Sequence, residues 1–352
     1  MSALACLAFV TTGASADPLR IATYNTELGR DGPGLLLRDI LRGDDPQITA
    51  TLAILTTAAA DIVALQGFDY DLTGAALGAY QTALRDRGLD YPYSFAIRPN
   101  SGWQSGLDLD GDGRLGGPGD AQGYGRFSGQ NGMAILSRFP IAAKDVQDFS
   151  PLLWRDLPGA LLPETDEGPY PSATALAAQR LSSKGHWIVP VDVPGLGRVH
   201  LMTFHASPPV FDGLEDRNGK RNHDETAFWL AYLDGAFGIV PRDRFILLGD
   251  ANSDPVDGDS RKSAIVGLLG DPRLQDPAPV SAGGRDATGD AGDTVDWDDP
   301  QPGNLRVDYA LPSTDWTVLQ SGVIWPPTDD PLAAVAESAS RHRLVWVDLD
   351  RP

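Results

Sequence analysis

The chain has 352 residues, enough to bury a full hydrophobic core without disulfide bonds or a structural metal. It carries 48 acidic residues against 28 basic ones, which gives a formal net charge of −20 at pH 7. Binding to polyanions depends on Lys and Arg side chains that neutralise phosphates, so this charge balance argues against a general nucleic-acid-binding protein or one that adheres to anionic membranes.

The first sixteen residues have the pattern of an export signal. Ala3–Val10 is an apolar run, and Ala14-Ser15-Ala16 offers small residues for cleavage before Asp17. The run is too short to cross a membrane as a helix, and a buried first strand is the alternative interpretation. Cys6, the only cysteine, lies in this segment, so the mature chain would contain no thiol. We therefore expect a secreted or periplasmic protein that consists of residues 17–352.

After Asp17, short apolar runs between turn residues predict strands, and runs with helical spacing predict helices. The predicted strands are Leu19–Asn25, Ile62–Gln66, Met133–Leu136, Val199–His205, Phe245–Leu248, Arg306–Leu311, Trp316–Val323 and Leu344–Leu349. The predicted helices are Ile48–Ala60, Thr73–Arg87 and Asn222–Phe237. Stretches 99–127, 149–173 and 281–303 are rich in Gly, Pro and Asp and are predicted to be loop insertions in a single domain. Many strands with few helices favour two packed sheets covered by helices.

Polar residues follow several of the predicted strands in short motifs. They are Arg20-Ile21-Ala22-Thr23-Tyr24-Asn25, Asp61-Ile62-Val63-Ala64-Leu65-Gln66, Gly132-Met133-Ala134-Ile135-Leu136-Ser137-Arg138-Phe139-Pro140-Ile141, Phe204-His205, Gly249-Asp250-Ala251-Asn252-Ser253-Asp254-Pro255, and Arg306-Val307-Asp308-Tyr309 with Ser340-Arg341-His342-Arg343. Each motif alone is common by chance. In this order, they resemble the motifs of the endonuclease/exonuclease/phosphatase superfamily. The resemblance implies an α/β fold, a four-layer sandwich of two packed mixed β-sheets flanked by helices.

The resemblance also implies a reaction, the attack of water on the phosphorus of a phosphoester. Asp250 would orient or deprotonate the water, and Asn252 would donate a hydrogen bond to the phosphate. His342, oriented by Asp308, would stabilise the phosphoryl group or protonate the leaving oxygen. His205 would hold another phosphate oxygen. Such a site neutralises the charge that builds up on the phosphoryl oxygens.

Two residues depart from the metal ligands that the resemblance implies. Gly67 stands in place of a Glu, and Arg341 in place of an Asp; neither side chain can ligate a cation. Asn25 remains, and Glu27 and Asp69 would share its face if the strands continued regularly. These three residues predict a weakly held Mg²⁺ or Mn²⁺, since such ions need only one or two carboxylates. The alternatives are that the two acids are solvated loop residues or that the metal site is lost.

A basic run in this acidic chain, Asp216–Glu225, follows the strand that ends in His205. Arg217 and Arg221 offer bidentate donors for phosphate, and Arg341 could join them. The alternative interpretation is a helix N-terminus capped by Asn222 and Glu225.

A separate acidic loop resembles the first half of a calcium-binding EF-hand loop. Asp108, Asp110 and Asp112 occupy its positions one, three and five, and Gly113 occupies position six. Position twelve is Gly119 rather than Glu, so Asp120 is predicted to be a late ligand of a structural Ca²⁺. A Gly- and Asp-rich turn without an ion is the alternative.

These observations predict a monomeric phosphodiesterase or phosphatase that acts on a phosphorylated small molecule or a phosphodiester. A secreted nuclease is a second hypothesis, which the net charge disfavours. A third is a non-catalytic, calcium-stabilised binding protein on a degenerate hydrolase scaffold.

Overall fold

The computed structural model describes residues 18–298 and 301–350. The predicted export signal and Cys6 lie outside the described residues. Among the helices described, none has both the length and the apolar character needed to cross a membrane.

The structure has an α/β composition. Its strands are β1 (Leu19–Leu28), β2 (Ile62–Phe68), β3 (Tyr93–Phe95), β4 (Gly132–Ser137), β5 (Gln147–Asp148), β6 (Glu164–Thr165), β7 (Gly168–Pro169), β8 (His186–Val193), β9 (Gly197–His205), β10 (Phe245–Asp250), β11 (Asp308–Pro312), β12 (Val318–Val323) and β13 (Val345–Leu349). Its helices are α1 (Leu35–Arg42), α2 (Pro46–Ala58), α3 (Ala75–Arg85), α4 (Ala173–Ala178), α5 (Arg217–Leu233), α6 (Ser263–Leu269), α7 (Ala282–Thr288) and α8 (Pro331–Ala339).

Two large mixed sheets contain most of the strands. The first has the order β12-β13-β1-β2-β4-β3, and the second has the order β11-β10-β9-β8-β5. In the first sheet β1 runs parallel to β2, and in the second β9 runs parallel to β10. The remaining neighbours in both sheets are antiparallel.

Three apolar clusters separate four layers. One lies between the two sheets and contains Ile21 of β1 together with Ile246 and Leu248 of β10. Helices α1, α2, α3 and α8 cover the outer face of the first sheet. Helices α5 and α6 cover the outer face of the second sheet, where they meet Phe245 and Leu247. The predicted four-layer sandwich of two mixed sheets flanked by helices is therefore confirmed.

Some elements differ from the sequence prediction. Strand β8 and helices α1 and α8 were not predicted; β8 is buried along almost its whole length and includes His186 and Pro190, so it lacks a clear alternation. Helix α7 lies inside the stretch 281–303 that was predicted to be a loop, and Ser281 caps it by accepting a hydrogen bond from Gly284 N. Helix α5 begins at Arg217, so Asn222 lies within the helix and does not cap its start.

Candidate active site

Strand alternation places four polar side chains at one end of the space between the sheets. Successive side chains of a strand point to opposite faces, so residues two apart share a face. Asp250 therefore follows Ile246 and Leu248 of β10 toward the first sheet. Asn25 follows Leu19 and Ile21 of β1 toward the second sheet by the same rule.

The strand register completes the group. Asp250 is paired with His205 of β9 on one side and with Asp308 of β11 on the other. Directly opposed residues in neighbouring strands point to the same face, so the three side chains form a row. Asn25 lies across from this row, and its Nδ2 donates to Asp250 Oδ2 at 2.9 Å. The two sheets thus meet through a buried polar contact at the site.

His342, in the loop before β13, joins the group from the first sheet. Its Nδ1 lies 2.9 Å from Asp308 Oδ2, a direct hydrogen bond that orients the ring. Its Nε2 lies 3.3 Å from Asn25 Nδ2 and 3.9 Å from Asp250 Oδ2. His205 Nε2 approaches the same Asp250 oxygen to 3.3 Å. Asp250 is fully buried, and His342 is only 4% exposed.

Asn252 closes the group from the end of β10. It has a φ of 46°, a left-handed conformation that Asn tolerates better than most residues. This turn lets Asn252 N donate to Asp250 Oδ1 at 2.8 Å, and its Nδ2 donates to Ala206 O at 2.9 Å. The structure therefore brings together all six residues predicted to surround the reaction centre: Asn25, His205, Asp250, Asn252, Asp308 and His342.

The protonation states of the cluster follow from its burial. Burial raises the pKa of Asp250 to about 7, which His342 opposes and Asp308 reinforces. Burial alone would lower the pKa of His342, but the carboxylates of Asp308 and Asp250 raise it to about 9. Burial, with the charges of Lys184 and His342, holds the pKa of His205 well below its ordinary value. At neutral pH the site therefore contains a histidinium, a neutral imidazole and a carboxyl that is close to titration.

Thr294 supports the site and was missed by the sequence interpretation, which treated its surroundings as a loop. Its Oγ1 donates to Asp308 Oδ2 at 3.0 Å and accepts from the backbone N–H groups of Asp308 and Val307. The ring of Trp297 meets His342 edge to face, with centroids 5.7 Å apart. Thr294 and Trp297 match no motif, so only the fold reveals their contact with the site.

Lys184, just before β8, is a second residue that the sequence interpretation missed. Burial lowers the pKa of its ammonium group to about 8, and its charge interacts with Glu225 and Asp69. The same charge helps to depress the pKa of His205. Within residues 18–298 and 301–350 it forms no ion pair with a carboxylate. A cation in this position could bind an anionic substrate.

The predicted ligand set for Mg²⁺ or Mn²⁺ is not assembled. Glu27 binds Arg341 instead, with 2.5 Å between Glu27 Oε1 and Arg341 Nη2. Asp69 accepts the backbone N–H groups of Arg30 and Asn131, both at 2.9 Å. Among the described residues of the site, Asp250, Asp308 and His342 have potential ligand atoms within 4.8 Å of one another. Neither Glu27 nor Asp69 belongs to this group.

The backbone is irregular where the expected metal ligands Glu27 and Asp69 lie. The pairing of β1 with β2 shifts register between Asn25 and Leu28, and the pairing of β2 with β4 shifts between Gln66 and Phe68. Glu27 and Gly67 have positive φ angles of 48° and 66° in these bulges. Glu27 lies between the paired residues Asn25 and Leu28, and Asp69 follows the shifted pair Phe68 and Gly132, so regular alternation does not determine where either side chain points. The residues present therefore do not fit the predicted metal site.

The predicted phosphate clamp is also not formed as expected. Arg221 is 4% exposed and donates to the carbonyl oxygens of Leu181, Gln122 and Arg180, so it stabilises loops rather than binding a ligand. Arg217 interacts electrostatically with Tyr170 and Asp110, on the side of the acidic loop. Of the three predicted arginines, Arg341 alone contacts a residue next to the cluster.

The acidic loop brings most of its predicted calcium ligands together. Asp108, Asp110 and Asp120 offer oxygens within 4.8 Å of one another. Asp112 lies outside this group and accepts the N–H of Arg114 at 2.7 Å. Burial raises the pKa of Asp110, and the charges of Asp112, Asp120 and Asp108 raise it further.

Comparison with known proteins agrees with this geometry. No curated protein matches the sequence significantly. A solved endonuclease/exonuclease/phosphatase from Beutenbergia cavernae DSM 12333 is 20% identical, with a TM-score of 0.57 over 95% of this chain and 72% of that one. A family protein from Leptotrichia buccalis C-1013-b is 17% identical, with a TM-score of 0.52 over 94% and 99% of the two chains. The mannosyl-6-phosphatase Bt3783 of Bacteroides thetaiotaomicron VPI-5482 is 16% identical, with a TM-score of 0.50 over 94% and 99%.

These structures share the fold of the present chain. The sequence profile of the Endonuclease/Exonuclease/phosphatase family matches residues 22–342, which span every residue of the cluster from Asn25 to His342. The chain therefore belongs to the Endonuclease/Exonuclease/phosphatase family.

Proposed function

We propose that the protein hydrolyses a phosphoester bond in a phosphorylated small molecule or a phosphodiester. The observation that carries this proposal is the buried arrangement of Asp308, His342 and Asp250, in which a histidinium held by one carboxylate faces another carboxyl. Membership of a family of phosphoesterases supports it. So does the fold shared with a protein named as a mannosyl-6-phosphatase.

In the proposed reaction, the Asp250 carboxylate accepts a proton from the attacking water. The His342 imidazolium, oriented by Asp308, neutralises a phosphoryl oxygen or donates its Nε2 proton to the leaving oxygen. His205 and Asn252 hold the remaining phosphoryl oxygens. Preorganised donors of this kind stabilise the charge of the transition state, because they need no rearrangement as the charge develops.

Hydrolysis of a dye-linked phosphomonoester and of a dye-linked phosphodiester tests the proposal. Family members generally depend on metal, so each substrate is assayed with Mg²⁺, with Mn²⁺ and with EDTA. We expect His342→Gln to lower kcat by about 10²- to 10⁴-fold, the usual contribution of a general acid. His200→Gln, on the same strand as His205 but near its other end, is the matched control and should retain activity. If the wild type hydrolyses neither substrate, the non-catalytic binding protein becomes the better hypothesis.

Two further proposals concern a calcium site and the export of the protein. We propose that Asp108, Asp110 and Asp120 bind a structural Ca²⁺.

We also propose that the protein is exported, on the strength of the apolar run Ala3–Val10 and the small residues that follow it. N-terminal sequencing of protein recovered from the periplasm or medium should begin at Asp17. Recovery of the uncleaved chain from the cytoplasm alone would contradict export.

A further inference from the structure

An ion pair lies beside the catalytic cluster where the sequence led us to expect a metal. Arg341 donates to Glu27 Oε1 through Nη2 at 2.5 Å and through Nε at 3.0 Å. Its backbone N–H donates to Glu27 Oε2 at 2.8 Å. Burial would raise the pKa of Glu27, but the hydrogen bonds from Arg341 and the charge of His342 lower it overall. Glu27 is therefore ionised and paired with Arg341.

Ser340 connects this ion pair to Asn25 and His342 of the cluster. Ser340 Oγ donates to the backbone oxygen of Asn25 at 2.8 Å and to Glu27 Oε2 at 3.2 Å. The same oxygen accepts the backbone N–H of His342 at 3.1 Å. Arg341 thus lies between Ser340, whose hydroxyl bonds to β1, and His342, whose backbone N–H bonds to that hydroxyl. Glu27 holds the Arg341 guanidinium in place.

The guanidinium is nevertheless open to a ligand. The Arg341 side chain is 63% exposed, and its Nη1 makes no hydrogen bond to any residue that the structure describes. Glu27 occupies one edge of the guanidinium, so the Nη1 edge can face solvent. A planar guanidinium with two donors on one edge matches the spacing of phosphate oxygens.

The carboxylates of Asp250 and Asp308 are hydrogen-bonded within the cluster, to Asn25, Thr294 and His342. The two acids that were expected to hold a divalent cation beside them are replaced by Gly67 and Arg341. The position of the expected Glu is Gly67, and a Cβ at this residue would lie 2.3 Å from Asn25 Oδ1. Glu27, the acid next to Arg341, is neutralised by it. Mg²⁺ is usually held by at least one carboxylate together with water and phosphate. The guanidinium would also repel an incoming cation.

We propose that Arg341, held in place by Glu27, is the phosphate-binding cation of this site and replaces the divalent metal. The ligand is a phosphate group, bound through Nη1 beside the His342 imidazolium. Hydrolysis would then require no metal, and this part of the inference rests on the proposed function.

Binding of inorganic phosphate in EDTA, measured by calorimetry on the mature chain, tests the site without relying on turnover. We expect the wild type to bind phosphate equally well with EDTA or Mg²⁺, and Arg341→Gln to weaken binding about tenfold or more, as loss of a charge-assisted bidentate contact does. Arg85→Gln removes an exposed arginine that is paired with Asp90 and should leave binding unchanged. Thermal unfolding of each variant shows whether it is folded.

Arg341→Asp gives the complementary result. It places a carboxylate beside Glu27, so the variant should bind Mn²⁺, as seen by electron paramagnetic resonance, where the wild type does not. A wild type that binds Mn²⁺ and loses phosphate binding or hydrolysis in EDTA would overturn the inference and leave the proposed hydrolysis standing. Phosphate binding that depends on Arg341, without hydrolysis of either dye, would instead overturn the proposed function and retain the phosphate site.

Discussion

Asp250 and His342 occupy the same buried space and must carry opposite charges for the proposed reaction. The pKa of Asp250 is about 7 and that of His342 is about 9. Below the first value Asp250 is protonated and cannot accept a proton from water. Above the second value His342 is neutral and cannot donate. We therefore expect kcat/KM to rise with pH through about 7 and to fall through about 9, in a bell-shaped profile measured between pH 5 and 10.

Asp308→Asn tests the assignment of the upper limb. Asp308 is the largest contributor that raises the pKa of His342, so the amide should move that limb to lower pH. The lower limb should not move upward, because Asp308 also raises the pKa of Asp250. An upper limb at the same pH in both proteins would show that His342 does not determine it.

Lys184 gives a second prediction at this scale. Its ammonium interacts electrostatically with Asp69 and His205 and forms no ion pair in the described part of the chain, so we expect it to attract a substrate anion. Lys184→Gln should raise KM for a phosphomonoester several-fold and should change kcat less, because the charge acts on the bound anion in both ground and transition states. Lys144→Gln, at an exposed position just before β5, is the control. An unchanged KM would remove Lys184 from the substrate-binding residues.

At the scale of elements, regular strands were predictable and their irregular ends were not. The apolar alternation of β10 correctly predicts which way Asp250 points, because the strand is regular to its end. The same argument does not extend to Glu27 and Asp69, since they follow Asn25 and Gln66, where the strand register shifts. Gly67 was the available signal, since a glycine inside a strand often marks a bulge.

Long-range contacts account for the other differences at this scale. Arg221 was assigned to phosphate from its position in a basic run, but it is buried against the carbonyl oxygens of loops about 40 to 100 residues away. Thr294 contacts Asp308 although it lies in a stretch with no periodic pattern. Sequence spacing carries no information on such contacts, because they exist only once the layers have packed.

The acidic loop supplies a prediction of its own. Asp108, Asp110 and Asp120 repel one another without a cation, so Ca²⁺ at millimolar concentration should raise Tm by mass action on the native state. Asp110→Asn should abolish the increase and should itself raise Tm in EDTA, because it removes one of the repelling charges. Asp112→Asn should retain the increase, since Asp112 lies outside the group. Differential scanning calorimetry with and without Ca²⁺ measures all three, and an identical Tm for the wild type in both conditions would refute the site.

At the scale of the whole molecule, the net charge of −20 bears on substrate choice. A polyanion approaching this surface is repelled over distances comparable to the Debye length, about 10 Å at 0.1 M salt, whereas a small phosphoester experiences less of the field. We expect plasmid DNA to be cleaved far more slowly than a dye-linked phosphoester. Any cleavage of DNA should increase as salt rises from low to physiological concentration, because salt screens the repulsion. Rapid cleavage that declines with salt would favour the nuclease hypothesis.

The overall architecture was predictable because its motifs lie at strand ends. Asn25, Asp250 and His342 are widely separated in the chain, yet Asn25 lies in β1, Asp250 ends β10 and His342 precedes β13. The order of those motifs was sufficient to predict the four layers and the six-residue cluster. The pairing of Arg341 with Glu27 was not predictable, because Glu27 lies where the register of β1 is irregular.

The positive φ of Gly67 also makes it difficult to introduce a carboxylate at this position. A single substitution to Glu would meet Asn25 Oδ1 at 2.3 Å and a φ of 66°, where side chains other than Gly are strained. By our proposal, the Glu variant would not bind a cation while Arg341 is present. The substitution alone would therefore strain the backbone without creating a metal site. A metal site at this position therefore requires changes in a defined order. Arg341 must be replaced first, and the backbone at Glu27 must shift before an acidic side chain fits at position 67.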